Sequence, residues 1–557
     1  MVGGTHPAPR ARRAYPGRAP GGPARHHHPR DGTAGRVTAD PEVLVVGGGL
    51  CGLSTALFLA HHGVRVLLVE RHPALLSHPR QRSVNVRVME LYRQVGLADA
   101  IRAARADFVT AGEYVVVRAR TLAEEYRPVG HQGDVAAAED ASPCRGTPID
   151  QDRVEALVCA RARELGARIE FGTALVELAE DPDGVTALLS TGATTRRVRA
   201  RYLVAADGAD GGIRATIGIP RATYGPAFDL LTLLVHADLR PALAGRTVHM
   251  AHLDLPRPRT YLMALDRDGT RWVFGTADDP TRGEPDDRAC AELVRAAAGL
   301  PDAPVRLLPQ IAGTDRRLLR FRVGAALAEK YRAGRVFLVG DAAHLMPPTG
   351  GFGGATGVAE AHNLAWKLAW VLRGRAGGDL LDSYHDERHP VALFTLRQAL
   401  VRAADRFDTG TPGELVDRST VLLGPRYDSA AVRGGGPDPV PVGDLSGAPG
   451  SRAPHVPLPG DRSTLDLYGT RFVLLAGAGA DGWARAGRRH GVSTYRFGPD
   501  LPDAAARHGI GPLGALLVRP DGYVAWRSPG PSADPDGTLA AVLATILAVP
   551  ERAGSAR

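Results

Sequence analysis

The sequence predicts a mixed α/β fold: a doubly wound dinucleotide-binding domain, interrupted by an antiparallel sheet and followed by a smaller α/β unit. Three observations predict it. Residues 43–52, VLVVGGGLCG, read as a short apolar strand running into a glycine-rich turn. Residues 335–350, RVFLVGDAAHLMPPTG, read as a second strand, ending in Gly-Asp, almost three hundred positions later. Between them the texture changes from alternating strands and helices to successive short strands. At 557 residues the chain is also too long for one ordinary domain.

Residues 1–40 are rich in Pro, Gly, Arg and His without apolar periodicity, and predict a disordered basic tail. They lack the apolar run of a secretory signal, and His26-His27-His28 reads as tail rather than metal site. Residues 41–220 are expected to form the first part of the dinucleotide domain. A strand at 43–46, a helix at 53–62 that stops at Gly63, and a strand at 64–69 ending at Glu70 make one β-α-β unit. A helix at 153–165, a strand at 168–171, a hairpin turning at Asp183-Gly184 and a strand at 201–206 leading into Asp207-Gly208 follow. Residues 221–325 read as an inserted antiparallel sheet, with strands at 247–253, 260–265 and 271–276. Residues 326–408 return to the dinucleotide domain, with helices at 358–372 and 390–407. The stretch 409–460, crowded with Gly and Pro from 433 on, reads as a linker. Residues 461–557 carry strands at 471–475, 514–519 and 523–527 and a closing helix at 538–548.

Charge and cysteine content narrow the function. Of the net charge of +8, residues 1–36 contribute +6 (seven Arg against Asp31), so the rest is near neutral and a nucleic-acid role is rejected. No run approaches the ~18–20 apolar residues of a membrane span. Cys51, Cys144, Cys159 and Cys290 show no metal-ligand spacing, so no metal is expected and a reducing cytoplasm fits.

Gly47-x-Gly49-x-x-Gly52 follows a strand and opens a helix, the arrangement that lets backbone N–H groups and the helix N-terminus meet a pyrophosphate. Cys51 fills a small-residue position there, best read as packing. Glu70, with Arg71 beside it, stands where a carboxylate accepts ribose hydroxyls and repels a 2′-phosphate. FAD and NAD fit this site; NADP does not. The Gly-Asp strand end can hold the sugar-like part of the same dinucleotide from the opposite side, which points to one FAD.

The chain resembles the para-hydroxybenzoate hydroxylase family, the single-component FAD-dependent aromatic monooxygenases. More narrowly it resembles the actinomycete hydroxylases of polycyclic aromatic polyketides, with their added thioredoxin-like C-terminal domain. HPRQRSVNVRVMELYRQVGL at 78–97, PIDQDRVEAL around Gln151, AADGADGGIR at 205–214, GDAAHLMPPTGGFGG at 340–354 and AHNLAWKLAWVLRG carry the match in the family's order. The resemblance implies a glutathione reductase-type FAD-binding domain with an inserted substrate-binding sheet. It implies FAD contacts from Arg80 (ribose and pyrophosphate), Gln151, Asp207 (FAD and nicotinamide cofactor) and Asp341 (ribityl hydroxyls). The loop from Pro347 to Ala355 would line the reactive face of the flavin, with Gly354 and Ala355 against the cofactor and Pro348, Gly350 and Gly351 at the chemistry. Two positions depart from the family: Gly211 stands where Ser is usual, losing a hydroxyl contact, and Ala355 where Asn is usual. The last cysteine is Cys290, so the C-terminal domain has no thiol–disulfide chemistry and a structural or docking role is left.

The implied reaction is hydroxylation of a polycyclic phenol or quinone with NADPH or NADH and O2, through a flavin C4a-hydroperoxide. His252, Tyr261 and Trp272 are the residues of the inserted sheet expected to form the substrate's other wall; His344 reads as a satisfied histidine under the loop. A halogenase is set aside because no Trp-x-Trp occurs. A Baeyer–Villiger or drug-inactivating oxygenase shares the scaffold, and a non-catalytic flavin-bound sequestering protein is a reading from another class. The expected partners are an aromatic small molecule and O2, and a homodimer is an assembly the resemblance allows.

Overall fold

The computed structural model describes residues 40–549 apart from 76–80, 106–114, 129–139, 226, 280, 282, 312, 408–412 and 499–503. The basic tail up to residue 39 and Arg80 lie outside the described residues.

The apolar strand β1 (Val43–Val46) is buried along its length, as a parallel strand covered on both faces must be. The glycine turn leads into α1 (Leu50–His61), and β2 (Val66–Glu70) returns parallel to β1 with Val43 opposite Val66. Asn85 caps α2 (Val86–Gln94), accepting from Val88 N at 3.0 Å. Next come α3 (Gln151–Glu164), β3 (Arg168–Phe171), a three-stranded antiparallel sheet over Thr173–Ala200, and β4 (Tyr202–Ala205).

The insert follows: β5 (Phe228–His236), β6 (Met250–Leu253), β7 (Thr260–Ala264), β8 (Arg271–Ala277) and α4 (Asp287–Ala298). Its sheet has eight strands and recruits Val116–Ala119 and Tyr126–Pro128 from the segment assigned by sequence to the dinucleotide domain. Side chains alternate between its faces. Leu231, Leu233, Leu262 and Phe274 pack with Val294 and Ala297 of α4 on one face. Trp272 belongs to that face: it is fully buried, and its indole N–H donates to the Gly269 carbonyl at 3.0 Å. The expectation that Trp272 shares a substrate wall with His252 and Tyr261 is thus corrected, because those two are cross-strand partners on the opposite face.

The chain then re-enters the first sheet as β9 (Val336–Leu338), followed by α5 (Gly353–Leu372), α6 (Ser383–Phe407) and α7 (Arg418–Leu423). The sheet order is β9-β4-β1-β2-β3, all parallel, with Arg332–Ala333 antiparallel at the β9 edge. Since β1 has β2 on one side and β4 on the other, it marks the switch point where such sheets bind ligands, at the carboxyl ends of the strands.

The stretch expected as a linker is packed rather than extended: it holds α7, and Tyr427, Ala431, Arg452 and Ala453 are buried. Glycine and proline there make turns inside a folded unit. The C-terminal sheet comprises β10 (Val473–Ala476), β11 (Ser493–Arg496), β12 (Ala515–Val518) and β13 (Val524–Ser528), with α8 (Asp481–Arg489) and α9 (Pro535–Ile546). Its order β11-β10-β12-β13, with only the first pair parallel, is consistent with a thioredoxin-like core. Among the described residues no helix is long and apolar enough to cross a membrane.

Candidate active site

Four residues far apart in sequence gather at the carboxyl edge of the parallel sheet: Gly47 after β1, Glu70 ending β2, Asp207 just beyond β4 and Gly340 just beyond β9. Gly47 has φ 112°, and a Cβ there would stand 2.1 Å from the Ala206 carbonyl oxygen. A Cβ at Gly52 would meet the Gly47 carbonyl at 1.9 Å, whereas one at Gly49 would meet nothing within 4 Å. So Gly52 serves tight packing and Gly49 leaves open approach. Gly49 caps α1 without a side chain, which leaves the helix N-terminus to an anion.

Glu70 Oε2 accepts from Gly48 N at 2.6 Å, and Oε1 from His72 N at 2.8 Å and Nδ1 at 2.5 Å. Burial alone would raise its carboxyl; the bonds from His72 and Gly48 outweigh that and hold it below the ordinary range. Glu70 is therefore a carboxylate, as a ribose acceptor requires. Arg71 is exposed and close enough to act on the charge of Asp207.

Asp207 Oδ2 accepts from Ile213 N at 3.1 Å, while Oδ1 is buried and has no partner among the described residues. Burial raises its pKa. Gly211 is not merely a serine lost: a Cβ there would lie 2.1 Å from the Asp207 carboxyl carbon, in the space the aspartate occupies.

On the other side, Asp341 is exposed on a 3-10 turn (Gly340–Ala342), and Gly340 has φ 66°. Cys51 is the wedge between the two halves: its Sγ would stand 2.6 Å from a Cβ on Gly340 and 2.4 Å from one on Gly357. Burial, then Asp341 and Glu360, push its thiol well up, so packing rather than reactivity explains it. His344 is fully buried against Glu360 and cannot touch a substrate.

In the loop after it, Gly350 and Gly351 take successive positive φ values of 83° and 65°, and the Pro348 carbonyl accepts from Gly351 N at 3.2 Å. Thr349 Oγ1 donates to the Ala399 carbonyl at 2.6 Å and Arg418 Nη2 to that of Gly350 at 3.4 Å, tying the loop to α6 and α7. Pro348 and Gly351 stay exposed. Gln151 and Ala355 share one recess with Leu50 and Gln81, at the joint starts of α1, α3 and α5. Gln151 Nε2 donates to Glu155 Oε1 at 2.7 Å, and a Cβ on Gly354 would stand 2.8 Å from Gln81 Oε1. Gln81 was not singled out from sequence; its place in the 78–97 motif was the available signal.

On the inserted sheet, His252 and Tyr261 are half-buried neighbours. The Tyr261 ring lies over Gly275, whose Cβ would come within 2.2 Å of it. No hydrogen-bond partner of its hydroxyl is found among the described residues, and burial pushes its pKa up.

These features fit a dinucleotide flavin: a cradle that side chains would fill, a free helix N-terminus, an ionised ribose acceptor and an orphaned buried carboxylate oxygen. Comparison with known proteins agrees. Residues 40–399 match the FAD binding domain family and 446–550 the aromatic-ring hydroxylase C-terminal family. The tetracenomycin B2 monooxygenase-dioxygenase of Streptomyces olivaceus is 40% identical over 542 residues, covering 91% of this chain and 98% of that protein. The 4-methyl-5-nitrocatechol 5-monooxygenase of Burkholderia sp. is 40% identical over 545 residues, covering 91% and 97%. A crystal structure of aklavinone-11 hydroxylase with FAD and aklavinone superposes with a TM-score of 0.82 at 38% identity, covering 91% of this chain and 99% of that one.

Proposed function

The chain belongs to the FAD-dependent aromatic-ring hydroxylases, and from that premise we propose that it hydroxylates a polycyclic phenol or quinone of aromatic-polyketide type, with NADPH or NADH and O2. The observation that carries this reading is the convergence of Gly47, Glu70, Asp207 and Gly340 at neighbouring strand ends. FAD bound there supplies the redox and oxygen chemistry that side chains lack.

The chain's own part is holding, orienting and excluding water. The N-terminus of α1 takes the pyrophosphate, with Arg80 and Arg71 supplying positive charge. Glu70 takes ribose hydroxyls, Asp341 the ribityl chain, and the recess of Gln151 and Ala355 the ring end. Asp207 Oδ1, alone in its buried turn, is the acceptor left for a bound group. Pro348, Gly350 and Gly351 present backbone without side-chain bulk, so a flat aromatic can approach closely and charge that develops on it meets fixed dipoles. The His252–Tyr261 face forms the opposing wall, with the Tyr261 hydroxyl orienting a phenolic oxygen.

Purified protein should carry FAD or take it up, and polycyclic phenols should stimulate its NAD(P)H oxidation, with NMR locating one new hydroxyl. Colourless protein that cannot be reconstituted would overturn the reading; a ring-inserted oxygen in the product would replace hydroxylation by a Baeyer–Villiger outcome. Tyr261→Phe should raise KM for such phenols about tenfold, the cost of one hydrogen bond, without altering FAD content. Unchanged KM would remove Tyr261 from the substrate wall.

A further inference from the structure

Behind the turn that carries Asp341 lies a carboxylate with no exposed surface of its own. Glu360, two turns into α5, is fully buried, as is His344. Its Oε2 accepts from the Gly340 N–H at 2.9 Å and lies 3.2 Å from His344 Nε2; its Oε1 is 3.1 Å from the same nitrogen. Gly340 and His344 flank Asp341, so one carboxylate fastens both ends of the turn to the helix that begins at the flavin loop. Burying a carboxylate is costly unless it is paired and bonded. Here the pairing is local. Asp341 on the turn, Tyr384, Arg388 and His389 of α6, Tyr331, and Cys51 of α1 are the other charged or titratable groups around this pair. Arg388 also reaches the Thr356 carbonyl of α5 at 3.4 Å, bracing the same helix from α6. Burial pushes the His344 imidazole down, but Glu360 outweighs it and leaves the pKa raised, which favours the cationic ring beside the carboxylate.

Resting on the FAD reading, we infer that Glu360 is a positioning residue for the flavin, fixing the 340–344 turn so that Asp341 meets the ribityl chain, with His344 holding the carboxylate in place. It acts through Gly340 and Asp341, not by touching the cofactor. A neutral amide at 360 can still accept from Gly340 N–H but cannot hold a cationic His344; a leucine can do neither.

The test titrates FAD into apo-protein, following flavin fluorescence and the visible spectrum, beside apo-protein melting. Glu360→Leu should weaken FAD binding at least about tenfold, the loss of a bond to a charged group, and Glu360→Gln by less. In both, bound flavin should show a shifted visible band and stronger fluorescence, while Glu360→Gln apo-protein melts within a few degrees of wild type. His344→Gln should copy Glu360→Gln, which keeps the question open to measurement where the leucine variant does not fold. Wild-type affinity and spectrum in Glu360→Gln and His344→Gln overturn the inference, as does lowered melting with unchanged affinity. If wild-type protein itself binds no FAD, the FAD reading falls and this one with it.

Discussion

At Gly211 any side chain would begin inside the Asp207 carboxylate. Gly211→Ser, which restores the residue usual in the family, should therefore displace Asp207 from its bond to Ile213. Such overpacking costs about 1–3 kcal/mol, and it should lower the melting temperature and weaken FAD binding together; a neutral outcome in both would mean the turn adapts. A second residue-scale effect concerns pH. His508 is fully buried, its Nδ1 lies 2.7 Å from the Ala504 carbonyl, and burial lowers its pKa to about 4. Its unfolded value is near 6.5. The unfolded chain therefore binds the proton first, and the stabilisation, on the order of 3 kcal/mol, is complete above the unfolded pKa and is lost as pH falls from there towards 4. His508→Asn should flatten the decline in melting temperature between neutral and mildly acidic pH; an unchanged slope would assign it to other groups. Gly47, Gly49, Gly52 and Glu70 were legible in the sequence because a turn's chemistry is local. The roles of Gly211 and Glu360 were not, because each depends on what another segment places within a few ångströms.

Most elements expected of the dinucleotide domain follow from apolar strands and glycine stops, but α5 and α6 begin five and seven residues before their expected starts, and α2 was not expected. The inserted sheet was read less completely. Its strand β5 is a nearly continuous apolar run, FDLLTLLVH, whose alternation is hidden because both faces are covered. Which face Trp272 occupies depends on strand register and on α4, neither of which residue types reveal. The sheet is tethered to the first domain by Arg82, which is buried, donates Nε to Asp150 Oδ1 at 2.6 Å and Nη1 to the Ala264 carbonyl at the end of β7. Burial raises the Asp150 pKa against the pull of Arg82, so the aspartate depends on that arginine. Arg82→Met should cost about 3–5 kcal/mol by stranding a buried carboxylate, and Asp150→Asn less. Denaturant titration checks this, and equal, small losses in both variants would show that the pair carries no load.

At the scale of the molecule, the C-terminal domain meets the flavin domain through buried charge. Glu387 of α6 accepts from Lys367 Nζ of α5 at 2.8 Å and from Arg519 Nη2 at 2.9 Å; Arg519 Nε also donates to Asp521 Oδ1 at 3.1 Å. All four are at most 2% exposed. A second cluster repeats the arrangement, Glu90 of α2 accepting from Arg87 Nη1 at 2.9 Å and from Arg452 Nε at 3.0 Å. Trp366 and Trp370 pack on Phe472 beside the first cluster, with ring centroids 5.8 and 5.1 Å apart from it. Arg519 and Lys367 hold the Glu387 carboxyl well below its usual range despite burial, and burial lowers Lys367 to about 8. A lysine and three arginines with their carboxylates, once desolvated, cannot part without stranding uncompensated charge or flooding the seam with water. The seam was not legible in the sequence, because Lys367 and Arg519 lie 152 positions apart and nothing in the motif that holds Lys367 points to Arg519 as its neighbour. One consequence is that the two domains should unfold together. Calorimetry of the holoprotein should show a single peak, and Arg519→Met should shift that whole peak downwards by the equivalent of about 3–5 kcal/mol, since Glu387 and Asp521 are left without their shared cation. Glu387→Met should move it by a comparable amount, and the double variant by less than the sum, because the partners strand each other only once. A separate early peak from the C-terminal segment in wild-type protein would show the seam to be a contact between independent domains.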